Sequence, residues 1–344
     1  MIFPKKINDQ YDMLELLITP PNIKAEMIIK EIKSEDCDYN LIENLIIAGA
    51  NLDYKNQEDF TALQCAIYNN NLEVTILLLD KGADKTIITE NGSSLLHIAA
   101  ANNYFKIAAL LIKQNININS LDNNNSTPLH LASSKNSNKI AKLLLKSGAD
   151  IHARDYAGNT PLVYAIKGNN KEMVKILIES GADVNSVNDI NQTPIFSAVA
   201  LEKKDILRML IKANANINHQ DNSKDTPIHT SIPYDEIYSI VGGKSSTKFL
   251  LHQGANPNIQ NIRDLTPLHL AALDDLSDIV YSLLYFGANP NVQDCDGDTP
   301  LHIACQNGSE YTIQILLENN VDTTIKNKEG YSYEDIIKLN DEDE

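Results

Sequence analysis

Thr299-Pro300-Leu301-His302-Ile303-Ala304 is the stretch on which the fold turns. It opens with a hydroxyl that can cap a free backbone N–H and continues with a proline that has no N–H to leave unpaired. Its apolar side chains then follow at the spacing of one helical face. The same phrase stands at Thr127-Pro128-Leu129-His130, Thr160-Pro161-Leu162, Thr193-Pro194-Ile195, Thr226-Pro227-Ile228-His229 and Thr266-Pro267-Leu268-His269. Successive anchors lie 33, 33, 33, 40 and 33 residues apart. Weaker copies at Thr61-Ala62-Leu63, Ser94-Leu95-Leu96-His97 and Ser332-Tyr333 fall on the same grid. A regular array of structural repeats is therefore expected in place of two or three globular domains.

A second marker closes each unit. Gly82-Ala83, Gly148-Ala149, Gly181-Ala182, Gly254-Ala255 and Gly287-Ala288 follow their anchors, with Asn115, Asn214 and Asn320 replacing the glycine elsewhere, and Gly49-Ala50 precedes the first anchor. Both residue types accept the left-handed conformation that ends a helix. Between them, Leu129 and Ala132 fit the face of a short first helix, and Ile140, Leu143 and Leu144 that of a second. Polar stretches such as Asp155-Tyr156-Ala157-Gly158-Asn159 read as tight turns.

Helix, turn, helix and a projecting hairpin-like turn every 33 residues resemble the ankyrin repeat, from about residue 25 to residue 340. The expected fold class is an all-α solenoid. The expected organisation is an N-terminal extension over 1–24, a degenerate capping repeat over 25–55, and full units over 56–88, 89–121, 122–154, 155–187 and 188–220. A 40-residue unit over 221–260 with a seven-residue insertion follows, then units over 261–293 and 294–326 and a partial cap with an acidic tail over 327–344.

Charge and cysteine content narrow the function. The chain of 344 residues carries 29 Lys and Arg against 46 Asp and Glu, a net charge of −17, and Arg154, Arg208 and Arg263 are its only guanidinium forks. Nucleic acid is thereby disfavoured as a partner. No run of 18 apolar residues exists, so no membrane span is expected. Cys37, Cys65, Cys295 and Cys305 form no C-x-x-C, which disfavours a disulfide framework or zinc cluster and favours a reducing, cytoplasmic compartment.

His97, His130, His229, His269 and His302 recur one layer apart, too far to share one metal ion. The resemblance implies that this histidine hydrogen-bonds backbone near the start of the first helix. Gly242-Gly243-Lys244-Ser245-Ser246 fails the phosphate-loop pattern because Tyr238 stands where its first glycine belongs. It reads as a flexible connection in the insertion from Pro233 to Ser246. No catalytic constellation, metal site or cofactor is expected, and the chain reads as a non-enzyme.

What the resemblance implies is protein–protein interaction through a concave face made of turn tips and the loop after each first helix. Most tip positions are small, polar or charged. Ile190, Leu201, Tyr234, Ile262, Leu265 and Leu273 are apolar where water is expected, and they mark the expected partner-binding surface. The resemblance also implies that Asn185, Asn218, Asn258 and Asn291 sit where some members are hydroxylated. The expected partner is a neutral or basic protein, and the chain itself is expected to be a monomer. Abundant Asn and the excess of Lys over Arg suit AT-rich coding, which favours an effector directed at a host protein over an endogenous adaptor.

Overall fold

The structure is a computed structural model that describes residues 6–7, 10–11, 13–233 and 244–343. A two-residue antiparallel pair, β1 (Lys6–Ile7) and β2 (Gln10–Tyr11), precedes the helices. These run α1 (Met13–Ile18), α2 (Pro21–Ile32), α3 (Tyr39–Ile47), α4 (Ala62–Tyr68), α5 (Leu72–Asp80), α6 (Leu95–Ala101), α7 (Phe105–Lys113), α8 (Pro128–Ser134), α9 (Asn138–Lys146) and α10 (Pro161–Lys167). They continue as α11 (Lys171–Glu179), α12 (Pro194–Ala200), α13 (Lys204–Lys212), α14 (Pro227–Thr230), α15 (Lys244–His252), α16 (Pro267–Leu273), α17 (Ser277–Tyr285), α18 (Pro300–Gln306), α19 (Glu310–Leu317) and α20 (Tyr333–Asp343).

The anchor works as its residue types predict. Thr299 has extended backbone angles, Pro300 is the first helical residue, and the Thr299 N–H donates to His302 Nδ1 at 3.2 Å. The second helix of each pair ends on a residue with positive φ, +91° at Gly148 and +87° at Gly254, with Asn115, Asn214 and Asn320 between +57° and +66°. The finger between pairs is closed by one side chain. Asp221 Oδ1 accepts from the Ser223 and Asp225 N–H groups at 2.9 and 3.0 Å, and Asp294 Oδ1 does the same for Asp296 and Asp298. Asn185, Asn258 and Asn291 join consecutive units: Asn258 donates to the Gly287 carbonyl at 2.9 Å and accepts from the Asn289 N–H at 2.7 Å.

Two compact units divide the chain, residues 1–156 with 179–181, and residues 157–178 with 182–344. In the first, α2, α4, α6 and α8 pack in a row, as do α3, α5, α7 and α9. Their facing sides bury Ile28, Leu63, Ile67, Leu96, Ile107 and Leu144, so each helix pair depends on its neighbour for a core. In the second, α10, α12, α14, α16, α18 and α20 form one row, and α15, α17 and α19 pack consecutively beside it. Phe196, Leu210, Leu268, Val280 and Leu283 are fully buried there.

Two expectations need correction. Residue 25 lies inside α2, which begins at Pro21 directly after Thr19-Pro20, so the first capping helix starts before the boundary read from the sequence. Lys244, Ser245 and Ser246 open α15 and do not form a flexible connection. Thr247 reaches back from α15, its hydroxyl 2.8 Å from Ser231 Oγ and fully buried. Tyr234 and the rest of the insertion through Gly243 lie outside the described residues. The first helix of that unit, α14, stops at Thr230, ahead of Pro233.

One finger glycine is doubly constrained. Gly297 has φ +79°, and a Cβ there would stand 2.8 Å from the Lys328 backbone nitrogen, whereas at Gly254 the space is open. Gly297→Ala is expected to cost about 2–3 kcal/mol, left-handed strain plus displacement of the next finger, and Gly254→Ala about 1 kcal/mol from strain alone. Urea unfolding followed by circular dichroism checks this ordering, and equal losses would refute it.

Candidate functional site

The surface that the sequence singles out lies in the second unit. Ile190 and Ile262 sit on fingers, two and one residues after the asparagines that close them. Asn188 Oδ1 accepts from the Ile190 and Gln192 N–H groups at 3.2 and 2.8 Å, and Asn261 Oδ1 from Arg263 and Leu265 at 2.9 and 3.1 Å. Consecutive fingers are laced by their backbones: Asn222 N–H to the Ile190 carbonyl at 3.2 Å, Ile262 N–H to Ser223 at 2.9 Å and Cys295 N–H to Arg263 at 3.2 Å. Both isoleucines are therefore held outward by backbone on either side, 54% and 62% exposed. Leu201 caps the end of α12 and Leu273 is the last residue of α16, at 38% and 40% exposure.

Leu265 does not belong with them. It is 7% exposed, because the position before each anchor threonine points between fingers and not into water. At Asn159, Gln192, Asp225 and Asp298 the same position is polar and bonds the next finger. Asp225 Oδ1 accepts from Asn261 Nδ2 at 2.9 Å and Asp298 Oδ1 from Asn327 Nδ2 at 2.8 Å. With Tyr234 outside the described residues, the patch consists of two apolar pairs, Ile190 with Leu201 and Ile262 with Leu273. One layer separates them, which places them about 20 Å apart.

The histidines brace these fingers. Nδ1 of His229 and His269 accepts from the N–H of Thr226 and Thr266 at 3.1 and 3.0 Å, so Nε2 carries the proton. That Nε2–H donates onward to the carbonyl of Leu265 from His229 at 3.1 Å, and of Asp298 from His269 at 3.2 Å. His97 and His302 repeat the bridge to Ser126 and Tyr331. Burial pushes the imidazoles of His229 and His269 down to about 4, and lowers His97 as well. Where Val163 and Phe196 replace the histidine, Thr160 Oγ1 and Thr193 Oγ1 have no partner among the described residues. There His219 takes over part of the task, its Nε2 lying 2.9 Å from the Asn191 carbonyl.

The chemistry of the remaining groups is quiet. Burial raises the thiols of Cys65 and Cys305 to about 11 and about 12 and also raises Cys37 and Cys295, so none is a ready thiolate. Among the described residues, no group of three His, Cys, Asp or Glu is placed to hold a metal ion, and no helix is long and apolar enough to cross a membrane. Carboxylates surround the fingers instead, and burial raises Asp225 and Asp294 above the ordinary carboxylate range.

A second exposed apolar group escaped the sequence reading. Tyr281 and Tyr285, four residues apart on α17, and Tyr311 on α19 project from second helices. Tyr285 meets Phe286 edge-on at 5.2 Å, and Phe286 meets His252 at 4.8 Å. Their signal was the four-residue spacing opposite buried Ile279, Val280 and Leu283.

No curated protein matches the chain. A family model described as ankyrin repeats (3 copies) matches residues 27–122, 77–155, 115–188, 151–221 and 237–327, well over half of the sequence. Members of that family are typically interaction scaffolds without enzymatic activity. Anchor threonine, N1 proline, bridging histidine and laced fingers, together with that match, show that the chain belongs to the ankyrin-repeat family.

Proposed function

We propose that the chain is a non-catalytic scaffold that binds a protein through the finger side of its second unit. Ankyrin repeats are in general protein–protein interaction modules. The observation that carries the proposal is the outward fixing of Ile190 and Ile262 by hydrogen bonds that leave their side chains unpacked. An apolar side chain held rigidly in water loses little conformational entropy when a partner covers it. Acidic fingers around it favour a neutral or basic partner and faster encounter at low salt. In this reading the scaffold works as a monomer in a reducing, cytoplasmic setting, without nucleic acid, membrane or cofactor.

Affinity purification with mass spectrometry, comparing the native chain with an Ile262→Asp, Leu273→Asp variant, tests the surface. The expected result is one protein enriched by the native chain and reduced at least tenfold with the variant, the variant's thermal unfolding being unchanged. Identical recoveries from both baits would refute the surface. Enrichment from a host-cell lysate but not from the chain's own cell separates the effector reading from the endogenous adaptor.

A further inference from the structure

The net charge of −17 conceals a region of opposite sign. Residues 91–149 contain six lysines, Lys106, Lys113, Lys135, Lys139, Lys142 and Lys146, and one acidic residue, Asp122. That span is +5 while the rest of the chain is −22. Asp122 closes a finger, its Oδ1 accepting from the Asn124 and Ser126 N–H groups, so it is not on the helices that carry the lysines. Lys139, Lys142 and Lys146 lie along one side of α9 opposite buried Ile140, Ala141 and Leu144. Lys106 and Lys113 do the same on α7, which packs against α9. All six lysines are exposed, and none makes an ion pair among the described residues. The contrast lies on α13, where Asp205 pairs with both Lys171 and Arg208. Among the described residues, no carboxylate pairs with Lys142 or Lys146 on α9 to offset their repulsion.

We infer that the face of α7 and α9 is a docking surface for an acidic protein segment that also carries an apolar side chain. Charge complementarity gives the first half of that chemistry. A shallow cleft beside Lys142 and Lys146 gives the second, since its floor holds Leu145, Ala149 and Ile151, all recessed to intermediate burial. A carboxylate-rich peptide sets its acids on the ammonium groups and one apolar side chain into the cleft. A membrane fits the face less well, because apolar groups must protrude to enter lipid. Nucleic acid also fits less well, because the cluster has no arginine fork and its cleft no aromatic ring for stacking. The surface is chemically the reverse of the finger side of the second unit, so the two surfaces call for dissimilar partners.

The test is fluorescence anisotropy at 0.15 M NaCl with four labelled probes of about equal charge. These are a Glu-Glu-Leu repeat peptide, a poly-glutamate peptide, a single-stranded DNA, and phosphatidylserine-containing vesicles read by co-sedimentation. The Glu-Glu-Leu peptide is expected to bind best. Lys139→Glu, Lys142→Glu, Lys146→Glu together should weaken it at least tenfold, about 1.4 kcal/mol. The Lys→Gln triple variant should weaken it about threefold or more, which serves if the reversal perturbs folding. Ala149→Arg should bring its affinity down to that of poly-glutamate. Ile262→Asp, Leu273→Asp should leave it unchanged, so loss of the finger-side reading does not touch this one. Tighter binding of DNA or vesicles, a peptide affinity insensitive to the lysine variants, or no peptide binding at 100 µM overturns the proposal.

Discussion

Alanine in place of His229 or His269 is expected to lower the unfolding free energy of the second unit by about 3 kcal/mol, from lost buried volume and from the broken hydrogen bonds to the anchor threonine and to the next finger. Each imidazole is fully buried, holds the N–H of its own anchor threonine and donates to a carbonyl of the next finger. The truncation leaves the buried threonine N–H unpaired on one wall of a cavity, while the carbonyl on the opposite wall keeps only its backbone partner, the Asn261 N–H at Leu265 and the Asp294 N–H at Asp298. Glutamine separates these two effects. In the first full unit Gln64 occupies the histidine position and accepts from the Thr61 N–H at 2.9 Å, but its Nε2 has no partner. His229→Gln should therefore recover the cap and not the bridge, with a loss about half that of alanine. Urea unfolding by circular dichroism reads the totals, the chain having no Trp. Hydrogen exchange at Ile262 and Leu265 reads the bridge. Equal losses for alanine and glutamine, or unaltered exchange on that finger, would refute the bridging role.

The anchors made the fold legible because each of their residues does a local job: a hydroxyl caps, a proline starts, a histidine ties the cap to the next unit. Such jobs repeat with the unit and so show as period. The exposure of Leu265 was not legible for the opposite reason. Its position is polar in most copies, Asn159, Asp225 and Asp298 among them, and polarity there suggested contact with water. In the structure those side chains bond the neighbouring finger, so the position is polar yet sheltered, buried at Asn159 and Asp298 and half-buried at Asp225, and a leucine fills it. Burial of this kind depends on a residue 29 or 36 positions away, which no local pattern encodes. Composition misled in a similar way, since a total of −17 says nothing of how the lysines of α7 and α9 are segregated from carboxylates. Ile190 and Ile262 were identified correctly as exposed because a finger's tip, unlike its base, has no neighbour to reach it.

Acidification supplies the other large effect. His229 and His269 titrate near 4 when folded, against the ordinary 6.5 that they regain on unfolding. Below pH 6.5 the unfolded chain therefore binds protons that the folded chain refuses, and stability falls as pH drops. The loss begins near pH 6.5 and is complete near pH 4, about 3 kcal/mol for each histidine across the window. The structural cause is plain, since protonating Nδ1 would turn an acceptor into a second donor facing the threonine N–H. The charges near these rings are Asp221 beside His229, and Asp298 and His229 beside His269. The carboxylates favour protonation, yet desolvation outweighs them. Asp225 and Asp294, raised by burial, work in the opposite sense, gaining stability as pH falls towards 3.8. Asp84, Asp322 and Asp335, held low by hydroxyl and backbone N–H groups, lose stability only once pH falls through the ordinary carboxylate range. Between pH 6.5 and 5 the histidines thus dominate, and unfolding free energy at pH 5 should be about 4 kcal/mol below that at pH 7.5, from two groups each 1.5 pH units into its window. In the His229→Ala variant the same interval should cost about half as much. A native chain equally stable at both pH values, or a variant with the full pH dependence, would show that these rings do not carry the acid sensitivity of the repeat array.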